Sequence, residues 1–331
     1  MKIVLVGAGG MAMSHVQAYQ LLGVKDICAV VDPVLENAKR AAEPFGANVY
    51  ATVEEMLEKE KPEIADICAP SFLHFQYAMT FLERRMHVMC EKPMAHTVKD
   101  AETMLETAKK NGVVLMVGQL LRFWPEFVYL KGLIEAGTYG PVRHLEFRRQ
   151  YGMHPKGWYL NPELCKMVCF EMHIHDADFV NFLFGLPKAV DSTGIEEPDI
   201  HMSYVNTRYL YETEIPMVVQ AEGGWSNSTL PFAGGFRATF NQAVLEYADG
   251  ILTMYEAGKE PEVIKLTDGS VPHDIVALQK ELREFLDAVE GKGEVKTVTP
   301  ESARDTIRIV SAELESSAKH QPVTFSLVPN S

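Results

Sequence analysis

Residues 2–12 read Lys-Ile-Val-Leu-Val-Gly-Ala-Gly-Gly-Met-Ala, and this stretch decides the fold of the first part of the chain. An apolar run typical of a β-strand breaks into Gly7, Gly9 and Gly10, and helical character begins near Met11. Gly7 permits a tight turn, and Gly9 lets the backbone approach a pyrophosphate on the positive end of the following helix. The pattern predicts a phosphate-binding strand-turn-helix. The alternative is a glycine-rich turn in another kind of α/β protein.

An acidic residue follows the next predicted strand. The run from Asp26 to Val31 ends in Asp32, about 20 residues after the glycines. A carboxylate at this position accepts hydrogen bonds from an adenosine ribose and repels a 2'-phosphate. The sequence therefore predicts NAD as the cofactor, with NADP less favoured. In the alternative interpretation, Asp32 only starts a turn together with Pro33.

Composition limits the class of protein. With 331 residues, of which 47% are hydrophobic, the chain is long enough to form two cores. A net charge of −14 argues against nucleic acid or an anionic membrane as partner. No apolar run approaches the roughly 20 residues that span a bilayer, so we expect a cytoplasmic protein. Five cysteines, an odd number, include Cys28, Cys68 and Cys90 in strand-like runs, and we expect no structural disulfides.

The chain divides into two parts with different patterns. Residues 1–122 alternate strand and helix signals, which predicts a Rossmann-type doubly wound parallel sheet. Residues 123–331 contain several extended runs with few crossover helices after a predicted helix at 168–184. This pattern predicts an α+β domain on an open, mostly antiparallel sheet. Two predicted helices, 274–290 and 300–318, close the chain, and we expect them to pack back toward the first domain.

A lysine occupies the carboxyl end of the fifth predicted strand, in Glu91-Lys92-Pro93. Open α/β sheets bind their ligands at this edge, and Pro93 stiffens the backbone there. An ammonium at this point can hydrogen-bond a substrate hydroxyl and stabilise the alkoxide that forms as hydride leaves the carbon. The alternative interpretation of Lys92 is a solvated lysine in a loop.

Acidic and histidine side chains recur at helical spacing further along. Glu171, His175 and Asp178 stand at positions i, i+4 and i+7, which places them on one face of an α-helix. An imidazole flanked by carboxylates is suited to removing a hydroxyl proton near neutral pH. The alternative is a partly exposed, salt-bridged helix.

A second stripe on this segment contains metal-ligand types. Cys165, Cys169 and His173 lie on nearly the opposite face of the predicted helix. Eight residues of helix span about 12 Å, which is too far for one ion. We therefore predict no metal site.

Several motifs together resemble one enzyme family over essentially the whole chain. The combination identifies the chain as a member of the glucose-fructose oxidoreductase and inositol dehydrogenase (Gfo/Idh/MocA) family. The supporting motifs are the glycine turn, Pro70 with His74, Glu91-Lys92-Pro93, Gly118 before Arg122-Phe123, the stretch from Glu171 to Gly185, Val298-Thr299-Pro300-Glu301, and Glu315-Ser316.

The resemblance implies a hydride transfer between NAD and a secondary hydroxyl of a sugar, cyclitol or related polyol. Lys92 and His175 are then the catalytic pair, with His175 relaying the hydroxyl proton. Glu171 orients the site in place of the family's aspartate, and Asp178 contacts substrate. Further residues implied at the cofactor are Pro70, His74 and Glu91; further candidates at the substrate are Arg122, as a hydroxyl or carboxylate ligand, and Trp158, stacked on a sugar face.

Two departures from the family pattern keep other functions open. Glu171 is one methylene longer than aspartate, and Lys166-Met167 replaces consecutive glycines. One alternative is a glycoside hydrolase that uses NAD transiently through a keto intermediate. Another is a regulator that binds NAD and a sugar without turnover.

The resemblance also implies self-association. Relatives pair through the open face of the second domain's sheet, because such a face needs cover. We expect a homodimer or homotetramer, with Val218, Trp225 and Phe240 as candidate interface residues.

Overall fold

The computed structural model describes residues 1–152, 157–161, 163–166 and 168–325. The chain forms two compact units. The first comprises Met1–Trp124 and Gly269–Ile307, and the second comprises Pro125–Asp268 and Arg308–Ser331.

The first unit is built on a six-stranded parallel sheet with the strand order β3-β2-β1-β4-β5-β6. This is the doubly wound sheet that the alternating pattern predicts. Its strands are β1 (Ile3–Val6), β2 (Ile27–Val31), β3 (Asn48–Tyr50), β4 (Ile64–Ile67), β5 (His87–Glu91) and β6 (Leu115–Gly118). Its helices are α1 (Gly10–Leu21), α2 (Leu35–Ala42), α3 (Val53–Lys59), α4 (His74–Leu82) and α5 (Val98–Asn111).

The ends of α5 illustrate how the sequence sets the helix bounds. The Thr97 hydroxyl accepts a hydrogen bond from the Asp100 backbone N–H at 3.1 Å, as expected for an N-cap. Gly112 adopts the left-handed conformation just after the last turn and ends the helix. The sequence predicts both ends, since Thr97 precedes the helical segment from Val98 to Lys110 and Gly112 lies just past its end.

The second unit contains a nine-stranded sheet in the described residues, ordered β14-β13-β12-β11-β7-β10-β9-β8-β15. All neighbouring pairs are antiparallel except β7 and β10, so the prediction of an open, mostly antiparallel sheet is confirmed. Its elements in chain order are α6 (Pro125–Ala136), β7 (Val142–Gly152), α7 (Ile174–Phe184), β8 (Ala189–Glu197), β9 (Met202–Leu210), β10 (Val218–Ser226), β11 (Ala233–Phe240), β12 (Ala243–Ala248), β13 (Ile251–Glu256), β14 (Glu262–Ile264) and β15 (Val323–Thr324). The remaining helices are α8 (His273–Val289) and α9 (Pro300–Lys319).

Aromatic side chains form the core on the covered face of this sheet. Phe127 of α6 packs edge to face against Phe179 of α7 and Phe236 of β11, with ring centroids 4.9 and 5.1 Å apart. Two expected interface residues, Trp225 and Phe240, are only 3% and 4% exposed. They are core residues, because their positions in the pleat place them on the covered face. Of the three interface candidates, Val218 alone is exposed.

The segment before α7 differs from the prediction. We expected one α-helix from 168 to 184, whereas Cys169–His173 forms a π-helical turn that continues into α7. A π turn closes its hydrogen bonds at i+5 rather than i+4, so simple α-helical spacing does not describe this segment. Among the helices that the structure describes, none is both long and apolar enough to cross a membrane.

Candidate active site

The glycine turn after β1 has the geometry of a phosphate cradle. Gly7 has φ +90°, and a Cβ there would lie 2.6 Å from the Ala69 backbone nitrogen, so a side chain cannot be placed. Gly9 and Gly10 have open space where a Cβ would stand. Helix α1 begins at Gly10, followed by the half-buried Met11, and Gly9 supplies no side-chain cap. The first backbone N–H groups of α1 therefore suit a pyrophosphate.

Two backbone N–H groups hold the Asp32 carboxylate. Its Oδ2 accepts a hydrogen bond from Ala8 N at 2.8 Å, and its Oδ1 accepts one from Val34 N at 2.8 Å. The second bond is the expected turn at Pro33. The first bond holds the carboxylate beside the glycine turn. Each carboxylate oxygen has a further lone pair for a ribose hydroxyl.

Lys92 follows β5 directly and is half-buried. Its backbone N–H donates to Oε2 of the buried Glu91 at 3.1 Å, and the Lys92-Pro93 peptide bond is cis. His74 lies behind this loop, with Nδ1 2.8 Å from the Pro93 carbonyl oxygen and Nε2 2.8 Å from the Ala69 carbonyl oxygen. His74 therefore joins the ends of β4 and β5 through backbone carbonyls.

A buried ionic network that the sequence analysis missed lies beneath the same loop. His15 of α1 is fully buried, with Nδ1 2.8 Å from Asp66 Oδ2 and Nε2 3.1 Å from Glu91 Oε1. Tyr19 donates from its hydroxyl to the same Asp66 oxygen at 2.9 Å. Burial lowers the pKa of His15, but the charge of Asp66, together with Cys68 and the hydrogen bonds to both residues, outweighs burial and raises that pKa. The sequence signal that could have indicated this network is Asp66, an acidic residue inside an otherwise apolar strand.

Glu91 is part of this network. It is 7% exposed, and the absence of a side chain at Gly118 makes room for it. Glu281 of α8 faces the same network and is fully buried. Burial, and then the charge of Glu91, raise the pKa of Glu281 well above its ordinary value, opposed by His15. The buried surroundings therefore favour the protonated form of the Glu281 carboxyl.

A cluster of metal-ligand types occurs at a place other than the predicted stripe. Among the described residues, the ligand atoms of His15, Asp66 and Cys68 all lie within 4.8 Å of one another. Burial raises the pKa of the Cys68 thiol to about 12, and His15 is engaged by two carboxylates. The three side chains bond to one another, since Cys68 Sγ donates to Asp66 Oδ1 at 3.7 Å and His15 Nδ1 lies 2.8 Å from Asp66 Oδ2. The five cysteines are free thiols.

Arg122 is buried and hydrogen-bonds to other parts of the first unit. It is 3% exposed, and its Nη1 donates to Thr297 O at 2.8 Å and to Ser302 Oγ at 2.9 Å. These contacts fix the start of α9, where Thr299 caps the helix through Ser302 N. Arg122 therefore has a structural role at the start of α9.

The second unit holds the other predicted catalytic residues. Glu171 lies in the π-helical turn and is 9% exposed, whereas His175, in the first turn of α7, is half-buried. Asp178 is only 1% exposed. Of the three side chains, His175 is the most accessible.

Aromatic rings line the surroundings of Glu171. Trp158 stacks on Tyr159 with centroids 3.9 Å apart and planes inclined by 25°. Burial and then the charge of Glu171 raise the pKa of Tyr159. Both rings, with Tyr151, pack against a buried cluster of Cys165, Val168, Met172, Val205 and Trp225. The unit therefore places an aromatic surface beside a carboxylate.

Lys166 and Met167 stand where the family has consecutive glycines, and the structure describes Lys166. Lys166 is half-buried, and its charge counteracts the rise that burial causes in the pKa of Glu196. The two groups are therefore electrostatic neighbours. Met167 lies outside the described residues.

Comparisons with protein families match both parts of the chain. Residues 1–119 match a family described as an oxidoreductase family with an NAD-binding Rossmann fold. Residues 127–258 match a GFO/IDH/MocA C-terminal domain. The first unit is therefore an NAD-binding Rossmann domain.

Individual relatives are more distant. The chain is 31% identical over 192 residues to D-glucoside 3-dehydrogenase of Escherichia coli (strain K12), covering 56% of this chain and 55% of the relative. It is 32% identical over 160 residues to scyllo-inositol 2-dehydrogenase (NADP(+)) IolU of Bacillus subtilis (strain 168), covering 46% and 49%. The chain thus spans about half the length of these curated relatives.

Solved structures extend the similarity to the whole fold. Levoglucosan dehydrogenase, in complex with NADH and levoglucosan, superimposes with a TM-score of 0.84 at 18% identity and 100% coverage of both chains. At this identity the likeness concerns the fold alone.

Proposed function

The chain belongs to the GFO/IDH/MocA oxidoreductase family, and from this we propose that it is an NAD-dependent dehydrogenase acting on a secondary hydroxyl of a sugar, cyclitol or related polyol. The observation that carries the proposal is the arrangement at the carboxyl edge of the first unit's sheet. There the open glycines of the α1 turn, the anchored Asp32 carboxylate and Lys92 belong to one unit. Bound NAD supplies the hydride acceptor.

Each proposed catalytic residue has one task. The Lys92 ammonium donates a hydrogen bond to the reacting hydroxyl and stabilises negative charge on its oxygen. His175 accepts the hydroxyl proton, since it is the accessible titratable group of its helix. Glu171 orients His175 and the substrate from the adjoining π-helical turn.

The aromatic surface in the second unit supports a sugar or cyclitol as the substrate. Trp158 and Tyr159 offer stacked ring faces, which suit the apolar C–H face of a pyranose or cyclohexane ring. Glu171 beside them supplies an acceptor for ring hydroxyls. The relatives that act on glucosides and inositol are consistent with this class.

NAD is preferred over NADP in this proposal. Asp32 is held by two backbone N–H groups, so its negative charge stays where it repels a 2'-phosphate. The inositol dehydrogenase relative uses NADP(+) by name, so the preference must be tested on this chain.

The test is nicotinamide reduction, followed by absorbance, with NAD or NADP and a panel of sugars, cyclitols and polyols. We expect reduction of NAD with one substrate class. The Lys92→Ala variant should lose roughly 10²- to 10³-fold in kcat, and His175→Ala roughly 10²- to 10⁴-fold. Lys99→Ala and His144→Ala, on accessible positions elsewhere, serve as matched controls.

Other outcomes separate the alternatives. Cleavage of a glycoside without net reduction indicates the hydrolase. Tight NADH binding with neither reduction nor cleavage indicates the regulator. Either result overturns the dehydrogenase.

We further propose that copies of the chain associate through the open face of the nine-stranded sheet. Val218 on β10 is 50% exposed and supplies the apolar surface for such a contact. Light scattering should give a mass that falls to that of one chain in Val218→Glu. An unchanged mass would exclude this face.

A further inference from the structure

The π-helical turn Cys169–His173 is the local feature that separates the proposed catalytic helix from an ordinary one. It contains Glu171, and His175 follows two residues after its end. Since π turns carry one more residue per hydrogen-bonded ring than α turns, the direction of Glu171 relative to His175 is set by this turn. Such turns are rare and need support from outside the helix.

One oxygen atom contacts both ends of the turn. Oε2 of Glu313, on α9, lies 3.2 Å from Nε2 of His173 and accepts a hydrogen bond from Sγ of Cys169 at 3.4 Å. Cys169 and His173 are the first and last residues of the turn. The side chains of His173 and Glu313 are fully buried, so water does not compete for these contacts.

The electrostatics favour an ionic contact. Burial acts to lower the pKa of His173, but the charge and hydrogen bond of Glu313 outweigh it and raise that pKa. The hydroxyl of Tyr209 lies 3.4 Å from the same ring nitrogen. Arg149 of β7 and Asp176 of α7 also act on this pair, and their charges shift the pKa of His173 in opposite directions.

The packing of His173 is equally restricted. A Cβ at Gly223 of β10 would lie 2.8 Å from the His173 Cβ, so the ring fits only because that strand lacks a side chain there. One residue after His175, Asp176 receives two hydrogen bonds from Arg149 at 2.9 Å each. Contacts with Glu313, Gly223 and Arg149 therefore fix the buried side of this segment.

We propose that Glu313 is a positioning residue for the dehydrogenase reaction: by holding Cys169 and His173 at one carboxyl oxygen, it maintains the π-helical turn and thereby directs Glu171 and His175. This role rests on the proposed function. Glu313 is remote in sequence and touches the proposed catalytic side chains only through the turn.

The first experiment measures hydrogen exchange by mass spectrometry in Glu313→Gln. This variant keeps the shape of the side chain but removes the counter-charge of His173. We expect about tenfold faster exchange in peptides covering the turn and little change in the first unit's sheet. Glu315→Gln is the matched control, since Glu315 is exposed on the same helix and pairs with Lys319. Its exchange should equal the wild type.

The second measurement is kinetic. In Glu313→Gln we expect kcat to fall roughly a hundredfold while the Kd for NADH is unchanged, because the cofactor residues belong to the other unit. The double variant Glu313→Gln with His173→Gln replaces the ion pair by a neutral pair. It should restore slow exchange in the turn and recover part of kcat.

The outcomes are distinct. Unchanged exchange in the turn, or acceleration spread evenly over both units, overturns the positioning role. If Glu313→Gln is too unstable to measure, the double variant is tested instead. Fast exchange in the turn of the double variant also overturns the positioning role. If the wild-type protein oxidises no sugar, the proposed function fails while the exchange result still decides what holds the turn.

Discussion

Nε2 of His15 lies 3.1 Å from Oε1 of Glu91, so the helix that follows the glycine turn is ionically bound to the residue before Lys92. The same imidazole contacts Asp66 through Nδ1. A single buried cation thus joins α1, β4 and β5. It links the cofactor cradle to the loop of the proposed catalytic lysine.

Removal of this cation should be costly. We expect His15→Gln to lower the free energy of unfolding by about 3–5 kcal/mol, because two buried carboxylates lose their counter-charge. Denaturant unfolding measures the loss. His144→Gln is the control, with an expected change within about 0.5 kcal/mol, since His144 is partly exposed and 3.9 Å from its acidic neighbour. Equal losses in both variants would contradict the ionic role of His15.

The raised pKa of Glu281 predicts a particular pH dependence of the free energy of unfolding. Its pKa is raised in the folded state, so its contribution to stability is complete below the unfolded pKa of about 4.3 and declines as pH rises toward the folded value. Glu281→Gln lacks this titration. The variant should match the wild type near pH 4 and gain relative stability at higher pH, by up to about 1.4 kcal/mol per pH unit. Unfolding at several pH values tests this, and a difference independent of pH would refute it.

The contact between Gly118 and Glu91 predicts that a single methyl group disrupts the network. In Gly118→Ala the Cβ would lie 2.8 Å from Glu91 Oε1, which is held by His15. We expect a loss of about 1–3 kcal/mol from overpacking, together with lower kcat through the Lys92 loop. Gly132→Ala, inside α6 with no atom within 4 Å, should instead gain about 0.5–1 kcal/mol. Thermal unfolding of the two variants tests this, because the changes in stability are expected to have opposite signs.

Arg85 carries backbone strain after α4. Its φ of +59° lies in the left-handed region. Arg85→Gly should stabilise the protein by about 0.5–1 kcal/mol, because the strain of about 1–2 kcal/mol exceeds the entropic cost of glycine. Arg85→Ala keeps the strain and should be neutral. Stabilisation by alanine as well would locate the effect in the arginine side chain.

The sequence was sufficient for features that depend on local chemistry. The glycine turn, the Thr97 cap and the Gly112 terminus follow from backbone rules, and the structure has them at the predicted residues. The alternation of strand and helix signals was sufficient for the parallel sheet. The turn at Asp32 was also visible as one of two interpretations, and the hydrogen bond from Val34 N to Asp32 Oδ1 confirms it.

Features that depend on distant partners were not accessible from the sequence. Arg122 binds Thr297 and Ser302, which lie about half the chain away in sequence, so its commitment could not be read from its neighbours. The π turn likewise depends on Glu313. Spacing rules assume an α-helix, and they therefore placed Glu171 and His175 in a relation that the structure changes.

The double anchoring of Asp32 has a consequence for the evolution and engineering of cofactor choice. A residue that only repelled a 2'-phosphate would be exchanged freely during adaptation to a different nucleotide pool. Here the same carboxylate accepts hydrogen bonds from the Ala8 and Val34 N–H groups, so its loss also leaves these two backbone groups without their acceptor. A lineage that changes its nucleotide must therefore retain an acceptor at position 32, such as asparagine or serine, and cannot move through a small apolar residue without a separate repair.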